Sequence, residues 1–415
     1  MELVQSDPEL EAFERLRVRE VRAKGGQTAA AFLAEFQSTA ASLQPDERIK
    51  LVVYAYDNSM KLLKAVLSDP QANKICSLHW EYSGEEDVNS IVPLLISNCP
   101  ELASLEVEFE HPSEFDFVSS LLEHPSNKIK VFAMLNYPKE DLARFFAALG
   151  QSQVSALALN HSPEFAQSLC EYLARDLLVR LKVWMGHEQV PSAMMVSLAT
   201  CTRLAKLEMS CCKFSHPIAF PKSITKLGLK NCTFVGGFDW SFLADSNVQK
   251  LDLLGMQGVD GHQLGDALAA HLRAKGLGRL RLSTVSFTDE ILAAVGVELG
   301  RIKRLDIGRN LNDASVELIA LALQSPNSEM KELVLTYNII AGSIKTHLVT
   351  ALKHPNCNLA KLSLSTYGGG AKVAEDFHNR LALFVLLQGR QLRRWYCPLR
   401  RLPVEMFRLV GKVLI

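Results

Sequence analysis

Cysteine and histidine cluster once in this chain. Cys201, Cys211, Cys212 and His216 stand close together, and thiolate with imidazole is a zinc ligand set. Yet no C-x-x-C pair occurs, and Cys212 falls at a position that the chain's internal repeat buries. Gly186-His187-Glu188 opens like a zinc-protease signature but continues Gln-Val-Pro, without a second histidine four positions on. Gly368-Gly369-Gly370-Ala371-Lys372 lacks the spacing of a phosphate loop and reads as a turn out of the last strand. No Gly-x-Ser-x-Gly elbow is present. The expectation is a protein that is not an enzyme, with no catalytic residue, metal or cofactor.

A second set of residues is more regular. Arg180, Lys206, Lys226, Lys250, Arg279, Arg304, Glu332 and Lys361 recur at intervals of 20 to 29 residues, each just before an apolar residue. Two positions on, the series reads Lys182, Glu208, Gly228, Asp252, Arg281, Asp306, Val334, Ser363. Cations and acids in such columns, with Trp184 and Tyr337 beside them, are the groups that dock a protein of complementary charge. The earlier residues Glu81, Glu106 and Glu108, around His79, make the other end acidic. The plain alternative is a solvated face whose charges pair with one another.

These columns imply a repeated element. The pattern apolar-x-x-apolar-x-apolar begins at Ile75, Leu102, Ile129, Val154, Leu178 and Leu204, then at Ile224, Val248, Leu277, Ile302, Met330 and Leu359. Its central apolar residues are Leu78, Leu105, Phe132, Leu157, Leu181, Leu207, Leu227, Leu251, Leu280, Leu305, Leu333 and Leu362. Alternation along a strand turns these inward and the charged columns outward. One strand–helix unit cannot bury its apolar side, but stacked neighbours can. Thr288-Asp289-Glu290 before ILAAVGVEL, and Asp313 before ASVELIALAL, mark helix starts. The short unit between Leu207 and Leu227 carries two prolines and is expected to lack a helix. The fold class expected is therefore an α/β repeat solenoid of about twelve strand–helix units with a parallel sheet.

The units IKRLDIGRNLNDASVELIALALQSPNSE and its successor resemble the ribonuclease-inhibitor-like class of leucine-rich repeat proteins, through Leu305, Ile307 and Asn310, then Leu333, Leu335 and Asn338. Cys212 and Cys232 stand at the asparagine position, as in cysteine-type repeats, whereas Ser162, Met256 and Val285 depart from it. The resemblance covers residues 73–370. It implies a horseshoe whose concave face carries the sheet, and a buried residue at the asparagine position that bonds loop backbone. The family includes inhibitors, GTPase activators, immune sensors, ubiquitin-ligase adaptors and bacterial effectors, so fold does not decide function.

Solenoid ends need caps. Residues 1–72 read as a helical N-terminal cap, with capping-box spacing at Ser6-Asp7-Pro8-Glu9 and a degenerate repeat at IKLVVYAY. Residues 371–415 read as a helical C-terminal cap. Its last segment, Leu402-Pro403-x-Glu405 with Phe407 and Val410, resembles the opening helix of an F-box, though the chain ends at Ile415. The chain has 415 residues, with 45 Lys+Arg against 45 Asp+Glu, which argues against general nucleic-acid binding. No uncharged apolar run reaches the ~18 residues of a membrane span. Nine irregularly spaced cysteines and a charged N-terminus suggest reduced thiols and a cytoplasmic location.

Together these features predict a binding scaffold for a protein partner. Its face comprises Arg180, Lys182, Trp184, Lys206, Glu208, Lys226, Lys250, Asp252, Arg279, Arg281, Arg304, Asp306 and Tyr337. The alternatives are a ubiquitin-ligase substrate adaptor acting through Leu402–Ile415, a GTPase activator and a host-directed microbial effector.

Overall fold

The computed structural model describes residues 10, 12–13 and 16–365, apart from 55–58, 82–87, 109–113, 136–141, 161–165, 216–218, 237, 284–286, 309–310 and 337–341. The proposed C-terminal cap, the glycine run at 368–370, Tyr337, Asn310, Asn338, Ser162, Val285 and His216 lie outside the described residues.

The strands are β1 (Arg17–Arg22), β2 (Glu47–Val53), β3 (Ile75–Glu81), β4 (Ser104–Glu108), β5 (Val131–Leu135), β6 (Ala156–Asn160), β7 (Arg180–Trp184) and β8 (Lys206–Ser210), followed by β9 (Lys213–Phe214) and β10 (Lys226–Lys230). Then come β11 (Thr233–Phe234), β12 (Lys250–Leu254), β13 (Leu277–Ser283), β14 (Ile302–Gly308), β15 (Glu332–Thr336) and β16 (Lys361–Ser365). One 14-stranded sheet takes every strand except β9 and β11, in sequence order. Consecutive strands that are neighbours and parallel require a crossover each time, and a helix or helical turn supplies it in most units. The molecule is an α/β repeat solenoid.

Packing divides the chain into two units, Met1–Leu227 and Gly228–Ile415. In the first, Leu51, Leu78, Leu105, Phe132, Leu157, Leu181 and Leu207 lie side by side in register. In the second, Leu251, Leu280, Leu305, Leu333 and Leu362 do the same. All but Leu362 are buried. The next inward residues, such as Trp80, Val107 and Met134, then Leu253, Leu282 and Ile307, are buried too. Each spine buries one large side chain per strand, and each is worth roughly 1.5–3 kcal/mol relative to exposure.

The N-terminal region departs from the expected helical cap. Arg17–Arg22 and Glu47–Val53 are strands that pair in parallel, Val21 against Leu51, and extend the sheet by two units. β2 falls on the degenerate repeat read at IKLVVYAY, but the sequence disguised β1. Val18, Val21 and Ala23 keep the repeat's spacing, but Ala23 is small and charged residues surround it. Val21 is the one buried residue of β1. β1 is the sheet's first strand, and Arg17, Arg19 and Arg22 stud it. Charge along an exposed edge discourages pairing with another chain.

Helix starts are set by short polar side chains. Thr28 accepts a hydrogen bond from Ala31 N at the start of Ala29–Ala41. Asp260 accepts from His262 N and Gln263 N at the start of Gly261–Lys275. The helix Asp313–Gln324 is capped by Asn312, which accepts from Ser315 N, so Asp313 is its first residue and not its cap. Thr288 is likewise the first residue of its helix, and the cap position, Phe287, makes no side-chain bond. Asp289 instead reaches into the next unit, accepting from Asn312 Nδ2 at 2.9 Å and from Ser315 Oγ. Between β8 and β10 the described residues contain the short strand β9 and no helix, as the prolines there foretell.

Candidate functional site

Strand pairing converts sequence intervals into spatial columns. In the first unit one outward column runs Glu20, Lys50, Ser77, Ser104, Val131, Ala156, Arg180, Lys206. The next runs Arg22, Val52, His79, Glu106, Ala133, Ala158, Lys182, Glu208. A third holds Glu81, Glu108 and Leu135, then Asn160, Trp184 and Ser210. This face therefore changes character along the sheet. It is acidic and histidine-bearing at β3–β4, small and apolar at β5–β6, and basic at β7–β8.

At the acidic end, His79 Nδ1 lies 3.0 Å from Glu106 Oε2, and its Nε2 lies 3.3 Å from Glu81 Oε1. The Tyr54 ring meets the imidazole edge-on at 5.8 Å between centroids. The hydrogen bond to Glu106 raises the His79 pKa above its ordinary 6.5, against the opposing effect of burial. The same bond lowers that of Glu106 below 4.5.

At the basic end, Lys182 Nζ stands 3.6 Å from Glu208 Oε1. Arg180 is half-buried, and burial pulls its guanidinium pKa below its ordinary value. Trp184 is 43% exposed, high for so large an apolar side chain. Its ring lies against Gly186, whose backbone is left-handed at φ 59°. Between the two ends, Ala156 is buried although it faces outward. The cover is Leu10, itself 3% exposed, which packs with Ala156 and Val179 and against Val131 and Ala205.

In the second unit the columns read Lys250, Arg279, Arg304, Glu332, Lys361 and Asp252, Arg281, Asp306, Val334, Ser363. The expected diagonal pairing is present. Arg279 Nε lies 3.6 Å from Asp252 Oδ1, and its Nη2 lies 3.5 Å from Asp306 Oδ2. Arg281 Nε approaches the same Asp306 oxygen at 3.6 Å, and Arg304 Nη2 at 4.0 Å. Arg304 Nη1 is 2.8 Å from Glu332 Oε2. Asp252 and Asp306 are buried beneath these arginines. The ridge is thus a network of shared carboxylates, with Lys250 and Lys361 exposed at its flanks. Lys226 stands outward in the first unit and is half-buried.

The cysteines among the described residues are buried packing groups. Cys212 Sγ donates to Ser210 O and Cys232 Sγ to Lys230 O, each at the strand's end. Cys201 Sγ donates to Ser197 O at 3.4 Å and Leu173 O at 3.7 Å, and burial pushes its thiol up to about 12. No cluster of three metal-binding side chains occurs among the described residues. No helix among them is long and apolar enough to cross a membrane.

Repeat spacing alone thus puts the charged residues in their columns. The apolar interval of Val131, Ala133, Ala156 and Ala158 escapes a reading that follows the columns only from the fifth repeat copy. Those four small residues are visible at the same two positions of the third and fourth copies. Leu10 carries no comparable signal.

The fold and its outward face define a class: an α/β repeat solenoid built from leucine-rich strand–helix units. The sequence matches no protein-family profile and no curated protein. Among solved structures, a plant peptide hormone receptor, RGFR1, in complex with RGF2 is similar at 10% identity and a TM-score of 0.27 over 70% of this chain. The chain spans 48% of that receptor chain.

Proposed function

We propose that the protein is a non-enzymatic scaffold that binds a protein partner on the outward face of its sheet. One observation carries the reading. The first unit holds Trp184 exposed beside Lys182, Arg180, Lys206 and Glu208, on strands made rigid by a continuous buried spine. An exposed aromatic flanked by cations is the usual energetic centre of a protein interface. A broad, shallow face with many polar positions suits a polypeptide better than a small molecule, which takes a concave apolar pocket. Lys226, Lys250, Asp252, Arg279, Arg281, Arg304 and Asp306 are read as the charged remainder of the face. There, pairing among arginines and buried aspartates fixes the pattern presented to a partner. Tyr337 belongs to this proposal by sequence position alone.

The test is capture from extract with the wild-type chain, with Trp184→Ala, and with Lys250→Glu combined with Arg279→Glu. A partner held by the wild type is expected to be lost from Trp184→Ala and weakened by the charge reversals. Its retention by all three would remove the sheet face from the function.

A further inference from the structure

Ala156 is an outward-facing residue of β6 with 1% exposure. A methyl group on the open face of a sheet reaches that value only when something lies on it. That cover is Leu10, seated among Ala156, Val179, Val131 and Ala205. The seat exists because β5 and β6 place Val131 and Ala156 where the neighbouring strands place Arg180 and Lys206. Small side chains between larger ones leave a shallow apolar depression with a basic margin. Leu10, in turn, sits in the sequence Asp7-Pro8-Glu9-Leu10-Glu11-Ala12-Phe13-Glu14, one leucine among acids. The apolar Leu10 meets an apolar depression, and in sequence acids flank Leu10 as Arg180 and Lys206 flank its seat.

We infer that the segment around Leu10 is an internal stand-in for the partner, and that the β5–β7 face takes a polypeptide segment presenting a leucine-like side chain flanked by acidic residues. The inference rests on the sheet face being the binding surface, and it specifies the ligand. The partner segment and the chain's own N-terminal segment would compete for one seat. A seat filled internally nine times in ten weakens the observed affinity for an outside ligand about tenfold. The small size of Ala156 sets the specificity. A longer side chain there would fill the depression and exclude both the internal and the external leucine.

The experiment uses the full chain and a fluorescein-labelled peptide of residues 6–16. The peptide is titrated by anisotropy against the wild type and against Leu10→Asp, whose folding is checked by circular dichroism. It is expected to bind Leu10→Asp about tenfold more tightly than the wild type. The same peptide carrying Leu10→Asp should not bind, and adding Ala156→Glu to the Leu10→Asp chain should abolish binding. Equal binding to both chains, or to neither, overturns the inference. Hydrogen exchange in the single variant Ala156→Glu, which leaves the segment's sequence untouched, is an independent readout. Faster exchange of the amides at residues 12–16 supports the seat, and unchanged exchange sinks it. If capture of a partner through Trp184 succeeds while these results fail, only the internal stand-in is lost. If capture fails and the peptide still competes for its seat, the broader function falls and the seat remains.

Discussion

His79 is the residue at which charge, burial and pH meet. Its two ring nitrogens face Glu106 and Glu81, so the imidazolium is favoured, and its pKa rises above 6.5 chiefly through the Glu106 hydrogen bond. A raised folded-state value means that the stabilisation is complete below about pH 6.5 and fades as pH rises through the folded value. Glu106 is the mirror case. Its depressed value gives stabilisation above about pH 4.5 that is lost as pH falls through the folded value. The pair therefore stabilises most between these limits. His79→Gln is expected to lower the thermal midpoint at pH 5.5 and to lower it less at pH 8.5, as read by calorimetry. A deficit that is the same at both pH values would refute the ion pair as the source. Buried thiols give a second expectation at this scale. Burial pushes Cys99 and Cys201 up to about 12, so neither presents thiolate near neutrality. Peptide mapping after brief iodoacetamide treatment of the native chain should find both unmodified, and rapid labelling of either would contradict the packing. The sequence put His79 at an acidic end but could not supply the ring's orientation, which depends on pairing across β3 and β4.

At the scale of elements, the helix Gly261–Lys275 offers the clearest test. Its Asp260 side chain accepts from two backbone N–H groups at the helix start, and Arg273 and Lys275 occupy the last turn, where cations suit the helix dipole. Asp260→Ala should cost about 1 kcal/mol, by the usual worth of an N-cap. Phe287→Ala would act through lost packing, because that cap position makes no side-chain bond. Urea denaturation tracked by circular dichroism would measure the first effect, and no loss for Asp260→Ala would show the cap to be idle. Helices and strands were legible in the repeat because their periodicities differ and the apolar residues recur in register. Boundaries were less so. Asn312 and Asp313 are both capping residues by type, and only the backbone at Asn312, extended at ψ 172°, decides between them. β1 was illegible for a related reason. An edge strand buries so little that its pattern, RVREVR, resembles a solvated helix as readily as a strand.

For the whole molecule, the governing fact is that each repeat touches its sequence neighbours. Stability is then a sum of local terms and nearest-neighbour interfaces, unlike that of a domain with one shared core. Leu78 and Leu305 illustrate the consequence. Both are fully buried spine residues, Leu78 between Leu51 and Leu105 in the first unit, Leu305 between Leu280 and Leu333 in the second. Truncating a packed leucine to alanine costs about 2–5 kcal/mol, because a cavity remains where the methyl groups were. In a single core shared by both residues, the two losses would be felt everywhere. Here they share no partner, and the double variant should lose the sum of the single losses to within about 0.5 kcal/mol. Hydrogen exchange makes the contrast sharper than a melting curve can. Leu305→Ala should accelerate exchange in β13, β14 and β15 and leave β2, β3 and β4 as they are, and Leu78→Ala should do the reverse. The same logic predicts the outcome for binding. A variant in the second unit's spine would leave the Leu10 seat intact, because that seat is built from β5, β6 and the residues just before β7 and β8. Exchange that rose across both units after either substitution would mean that the repeats behave as one cooperative block. A binding face built on them would then fail as a whole and not strand by strand.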